Sequence, residues 1–156
     1  MSKVLMIHPD KCNGCRECEL ACSARQNGEF RQPLSLIRVG TFEREGLSVP
    51  SACQQCYTAA CVAVCPTSAL TNNREAGVVE LNRSNCNGCR LCVIACPFGN
   101  AEFDEETKAV LRCDLCDGDP ECVKVCKPRA LEYVENCLAA ASRKQAAMKR
   151  RYNIAK

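Results

Sequence analysis

Asn85-Cys86-Asn87-Gly88-Cys89-Arg90-Leu91-Cys92-Val93-Ile94-Ala95-Cys96-Pro97 is the stretch on which the reading of this chain turns. Its spacing, Cys-x2-Cys-x2-Cys-x3-Cys-Pro, is that of thiolates wrapped around a [4Fe-4S] cubane. The same spacing occurs at Cys12, Cys15, Cys18 and Cys22. Two further groups, Cys53, Cys56, Cys61, Cys65 and Cys113, Cys116, Cys122, Cys126, differ only by extra residues between the second and third cysteine. Sixteen of the 17 cysteines are thereby placed, four to a group. Four groups of four thiolates match the needs of four [4Fe-4S] clusters.

Other uses of cysteine fit less well. Zinc sites favour separated pairs over three or four cysteines within about eleven residues. Haem attachment needs Cys-x-x-Cys-His and a Rieske centre needs two histidines, whereas the chain has one, His8, not preceded by cysteine. Disulfides call for an oxidising compartment. The apolar run Val4-Leu5-Met6-Ile7 is too short for a signal-peptide core, and nothing approaches the roughly 20 apolar residues of a membrane span. The expectation is a cytoplasmic, reduced protein. His8 reads as a surface residue before Pro9. Cys137, outside every group, reads as a small apolar residue packed on the body.

The chain has 156 residues, 4% aromatic content and no tryptophan, so burial by large side chains is thin. Metal–thiolate bonds are the available substitute, and the cluster-free chain is expected to be largely unfolded. The formal charge is +3, but about −2 per bound oxidised cluster brings the loaded protein to about −5. Six of the 21 basic residues and none of the 18 acidic ones fall in residues 137–156, giving an acidic body and a basic tail. Such a body is repelled by phosphate, which argues against nucleic acid as a partner.

The groups repeat every thirty to forty residues. In each, a cysteine loop leads into a short helix and then a β-hairpin. Asn13-Gly14 and Asn87-Gly88 suit the tight wrap, and Cys15 to Gln26 suits a helix. Strand pairs are expected at Leu36–Val39 with Leu47–Val49, Ala69–Thr71 with Gly77–Leu81, and Ala101–Phe103 with Ala109–Leu111. A C-terminal helix is expected from Glu132 to Tyr152, with Val134, Leu138, Ala141, Met148 and Tyr152 on one stripe. That stripe would pack on the core, dock on a catalytic subunit or pair two copies. Among basic residues beside ligands, Lys11, Arg16, Arg90 and Lys124 would stabilise reduced clusters if they lie close. No nucleophile–base pair, phosphate loop or nicotinamide fingerprint is visible.

The motif order, with Cys53-Gln-Gln-Cys56-Tyr-Thr-Ala-Ala-Cys61-Val-Ala-Val-Cys65-Pro66-Thr67 second and Arg112-Cys113-Asp114-Leu115-Cys116 opening the fourth, resembles the four-cluster iron–sulfur subunits of molybdenum or tungsten pterin oxidoreductases. These include the dimethyl sulfoxide reductase and formate dehydrogenase subunits, and the small subunit of tungsten aldehyde oxidoreductase is the most similar. The resemblance implies an α+β fold of two bacterial-ferredoxin-like halves, the second inserted in the first. The outer half would be residues 1–50 and 101–131, the inner 51–100, and the basic C-terminal helix 132–156. It implies ligand sets Cys12, Cys15, Cys18, Cys126; Cys113, Cys116, Cys122, Cys22; Cys53, Cys56, Cys61, Cys96; and Cys86, Cys89, Cys92, Cys65. It implies a non-catalytic wire between a large catalytic subunit and a second redox partner or ferredoxin, with possible self-association end to end. Carbon monoxide dehydrogenase, formate dehydrogenase and hydrogenase are alternative partners, and a freestanding polyferredoxin or redox sensor is the alternative role. The family often has histidine where Gln55 stands. The short Asp117–Glu121 insert lacks the length that relatives use to dock on membrane subunits.

Overall fold

The structure is a computed structural model that describes residues 3–137 and 140. Among the described residues, eight short strands form four two-stranded antiparallel ribbons. The first strand, β1 (Lys3–Ile7), pairs with the last, β8 (Leu131–Glu135), from Lys3 opposite Glu135 to Ile7 opposite Leu131. The others are local hairpins: β2 (Ile37–Phe42) with β3 (Leu47–Ala52), β4 (Leu70–Asn73) with β5 (Val78–Leu81), and β6 (Glu102–Asp104) with β7 (Ala109–Leu111). All three expected hairpins form. The expected C-terminal helix does not begin at Glu132, because Leu131–Glu135 closes the ladder with β1, whose apolar run needs a partner to cover it. Asn136 and Cys137 are helical and exposed, so Cys137 is not packed on the body. Leu138, Ala141, Met148 and Tyr152 lie outside the described residues.

Proline placement explains the helices. Pro66, Pro97 and Pro128 follow the fourth cysteine directly or by one residue, and a residue before proline avoids helical ψ. Helices α2 (Ala60–Ala63), α3 (Leu91–Ile94) and α4 (Glu121–Lys124) are accordingly single turns holding Cys61, Cys92 and Cys122. Their fourth cysteines lie past the helix end. Ser23 follows Cys22, so α1 (Glu17–Asn27) runs three turns, carries both Cys18 and Cys22, and stops at Gly28 in the left-handed conformation. Cys15 precedes α1, because Arg16 at φ 59° breaks the helical path just before it.

Two apolar clusters form. One joins Ile37, Val39, Ala52 and Leu131 to Cys18, Cys22 and Cys122. The other joins Ala59, Leu70, Val79 and Val110 to Cys61 and Cys92. Hairpin β6–β7 contributes Val110 and Phe103 to the second cluster. The two regions are laced together by Arg38–Glu102 and by Ser51 Oγ donating to Asn100 at 2.8 Å.

Candidate metal centres

In the first and third motifs the loops are built alike. Asn13 Oδ1 accepts from the Cys15 amide and Asn87 Oδ1 from the Cys89 amide, each at 3.2 Å. Gly14 and Gly88 follow at φ 74° and 71°, where a side chain is strained. The fourth motif uses Asp114, which accepts from the Cys116 amide at 2.8 Å. These turns gather the first three cysteines of a motif, and the chain then carries the fourth elsewhere.

Three cavities show where it goes. One is lined by Cys12, Cys15, Cys18 and Cys126. A second is lined by Cys22, Cys113, Cys116 and Cys122. A third is lined by Cys65, Cys86, Cys89 and Cys92. Of the remaining four, Cys53 and Cys61 are joined by one guanidinium, and Cys96 accepts from the Asn100 amide at 3.4 Å. A further hollow, about 660 Å³ and open, is lined by residues such as Gln26, Arg83, Arg112 and Tyr133 and by no cysteine.

The groups lie side by side. Among the neighbours that raise each thiol's pKa, Cys122 feels Cys18, Cys113 feels Cys53, and Cys92 feels Cys61. Burial is the leading cause for these thiols. It pushes Cys113 up to about 12, and with the adjacent Glu19 it pushes Cys18 to about 12. Cys122, Cys53, Cys92 and Cys116 are raised by burial too. Cys65 is lowered: burial acts upward, but the Leu70, Thr67 and Ala69 amides and the Thr67 hydroxyl outweigh it. Cys15 and Cys89 are exposed at the mouths of their loops.

The donor set fits a cluster better than a single ion. Among the described residues, no three His, Cys, Asp or Glu side chains converge as one metal ion would require. No cysteine forms a disulfide. Sulfurs also receive N–H donors, as cluster ligands do: Leu36 to Cys22 at 3.4 Å, Ala130 to Cys126 at 3.2 Å, and Asn100 to Cys96.

The basic residues fall differently from expectation. Lys11 pairs with Glu132, Arg16 reaches Thr41, and Lys124 is held by Asp119 and Glu121. Arg90 stacks on Phe103 at 4.0 Å and pairs with Glu105 at 2.8 Å. Local carboxylates, a ring and the Thr41 hydroxyl claim these side chains first. The residue that does reach sulfur is Arg112, whose two terminal nitrogens donate to Cys61 and Cys53 Sγ at 3.0 Å each. Nothing in the sequence sets it apart from the other basic neighbours of ligands. Gln55, in its turn, accepts from the Val79 amide at 2.9 Å and donates to the Cys113 carbonyl at 2.7 Å, bracing motif two against motif four. His8 is partly buried, with Nε2 3.4 Å from Glu132, so it is not a simple surface residue.

Among the described residues, no helix is long and apolar enough to cross a membrane. Residues 45–136 match the 4Fe-4S dicluster domain, and residues 9–25 match a 4Fe-4S binding domain. The chain is 42% identical over 123 residues to the aliphatic sulfonate oxidoreductase, polyferredoxin-like subunit of Pyrococcus furiosus, covering 78% of this chain and 70% of that one. It is 34% identical to formate hydrogenlyase subunit 2 of Escherichia coli, covering 87% and 83%. A solved structure of the active site complex BamBC of benzoyl coenzyme A reductase aligns with TM-score 0.51 and 26% identity, over 96% of this chain and 91% of that one. The cofactors of this chain are [4Fe-4S] clusters, and it belongs to the 4Fe-4S dicluster domain family.

Proposed function

We propose that this protein is an electron-transfer subunit holding four [4Fe-4S] clusters between a catalytic oxidoreductase subunit and a second redox partner. The observation that carries this reading is the convergence of sequence-distant cysteines. Cys126 joins Cys12, Cys15 and Cys18, Cys22 joins the fourth motif, and Cys65 joins the third. The family resemblance assigns Cys53, Cys56, Cys61 and Cys96 to the remaining cluster. Bound clusters supply one-electron redox chemistry at potentials set by their surroundings. The polypeptide's part is to bury the sulfurs, direct N–H groups at them and keep neighbouring groups close.

The finer reading is two ferredoxin-like halves, residues 1–50 with 101–131 around residues 51–100, serving in the cytoplasm. Its catalytic partner would be a molybdenum or tungsten pterin enzyme, an aldehyde oxidoreductase first. The motif order supports that assignment, and relatives named as oxidoreductase subunits support the general role. Anaerobic purification with iron, sulfide and molybdenum or tungsten analysis tests it. The expected result is about sixteen irons per chain and a co-purifying large subunit holding the pterin metal. A cluster-loaded chain that purifies without a partner would overturn the subunit role, and zinc in place of iron would overturn the site assignment.

A further inference from the structure

Arg112 is 9% exposed and sits at the end of hairpin β6–β7, directly before Cys113. Its terminal nitrogens grip two sulfurs of the second motif, Cys61 and Cys53, at 3.0 Å each. Among the described residues it makes no ion pair with a carboxylate, and its Nε is buried without an acceptor. Buried charges need a counter-charge or a metal centre beside them. Neutral thiols give this guanidinium only weak acceptors. Thiolates on a cluster give it anionic ones, and a cluster's sulfides would offer the buried Nε an acceptor of the right kind.

Three other basic residues near ligands are paired with carboxylates, Lys11 with Glu132, Arg90 with Glu105 and Lys124 with Asp119 and Glu121, and Arg16 is exposed and reaches the Thr41 hydroxyl. The outer region instead buries a carboxyl group beside its ligands. Glu19, between Cys18 and Cys22 in sequence, is 1% exposed; Oε1 accepts from the Val39 amide at 2.7 Å and Oε2 has no partner. A buried cation stabilises the more negative, reduced cluster, and an anion disfavours it.

We propose that Arg112 is a tuning residue that makes the cluster site of Cys53, Cys56, Cys61 and Cys96 the highest in potential of the four. Electrons entering the protein then collect at that site, next to the Cys113 group to which Arg112 is joined in sequence. This rests on the four-cluster reading above. Each step is uptake of one electron, from dithionite through mediators in the test.

The experiment is an EPR-monitored redox titration of the cluster-loaded protein, with iron and sulfide counted on each sample. In Arg112→Gln the highest midpoint falls by about tenfold in its reduction equilibrium, about 59 mV for one electron, while the other three stay in place. Arg112→Lys keeps the charge but donates from a single nitrogen, and falls less. Four unmoved midpoints, or a shift confined to a lower one, in a fully loaded Arg112→Gln protein overturn the proposal. Should Arg112→Gln lose clusters, Arg112→Lys decides, and an unshifted highest midpoint overturns it. A wild-type protein without about sixteen irons per chain would instead sink the four-cluster reading itself.

Discussion

The outer region, motifs one and four, and the inner region, motifs two and three, start from nearly the same cysteine spacing and diverge in what surrounds the sulfur. The outer one has a three-turn helix, the ribbon joining both ends of the described chain, and a buried carboxyl group at Glu19. Its thiols include the three pushed highest by burial, Cys18, Cys113 and Cys122. The inner one has two single-turn helices, a guanidinium bound to two sulfurs, and Cys65, whose pKa is lowered by amide and hydroxyl donors. Identical ligand spacing therefore does not make identical sites. A short motif sets how sulfurs approach a cluster, while the charges packed around them set how readily it takes an electron.

The largest effect is expected from stripping the clusters with a chelator and oxidant. With thin apolar packing, both regions lose most of their amide protection, and the inner one loses it first because α2 and α3 are single turns. Hydrogen exchange checks this, and an inner region that outlasts α1 breaks the contrast. Next comes pH in the stripped protein. The Cys18 and Cys113 thiols lie at about 12 against an ordinary 9.0. A raised pKa adds stability that is complete below 9.0 and lost as pH rises toward about 12. Residual outer structure should therefore melt between those values, followed by circular dichroism. The loaded protein, whose sulfurs are already thiolates, should hardly respond in that window.

The paired loop glycines give a sharper comparison. A Cβ at Gly14 would meet the Ser48 hydroxyl at 2.7 Å, a side-chain end that can swing away. One at Gly88 would meet the Lys108 carbonyl at 2.9 Å and the Phe103 ring at 3.5 Å. Both carry left-handed strain, so Gly14→Ala should cost about 1 kcal/mol and Gly88→Ala about 3 kcal/mol, read from thermal unfolding of the loaded protein. Equal losses would mean that the two loops are equally supported. The smallest effects are electrochemical. Glu19→Gln keeps the bond to the Val39 amide and should raise the midpoint of the cluster on Cys18 by less than tenfold in its equilibrium (59 mV for one electron). Arg90→Gln should leave all four midpoints in place, because Glu105 and Phe103 already occupy that guanidinium.

Much was legible beforehand. Hairpin β6–β7 forms within a residue of the expected strands, and β2 and β3 start within a residue of theirs but each runs three residues further, because alternating apolar residues and charged turns are local signals. β4–β5 formed with its turn two residues later than expected. From sequence β1 is only an apolar run, and the composition of its partner suggests a helix. Lys3 and Glu135 are too far apart in sequence for any local pattern to connect them. Glu19 looked like one acid among many on a cysteine-bearing helix. Its burial depends on Val39 arriving from the next strand to meet it.

The amino-acid sequence alone determined the cofactor class, since four-residue ligand spacing, loop glycines and the prolines after the cysteines act over one or two turns of chain. Tertiary structure decided which sulfurs share a cavity, which ends of the described chain pair, and which cation reaches a ligand. Those outcomes depend on contacts between residues dozens of positions apart. Lys11, Arg16, Arg90, Lys124 and Arg112 all sit beside or near cysteines in the sequence, and packing left Arg112 with two sulfurs and, among the described residues, no carboxylate.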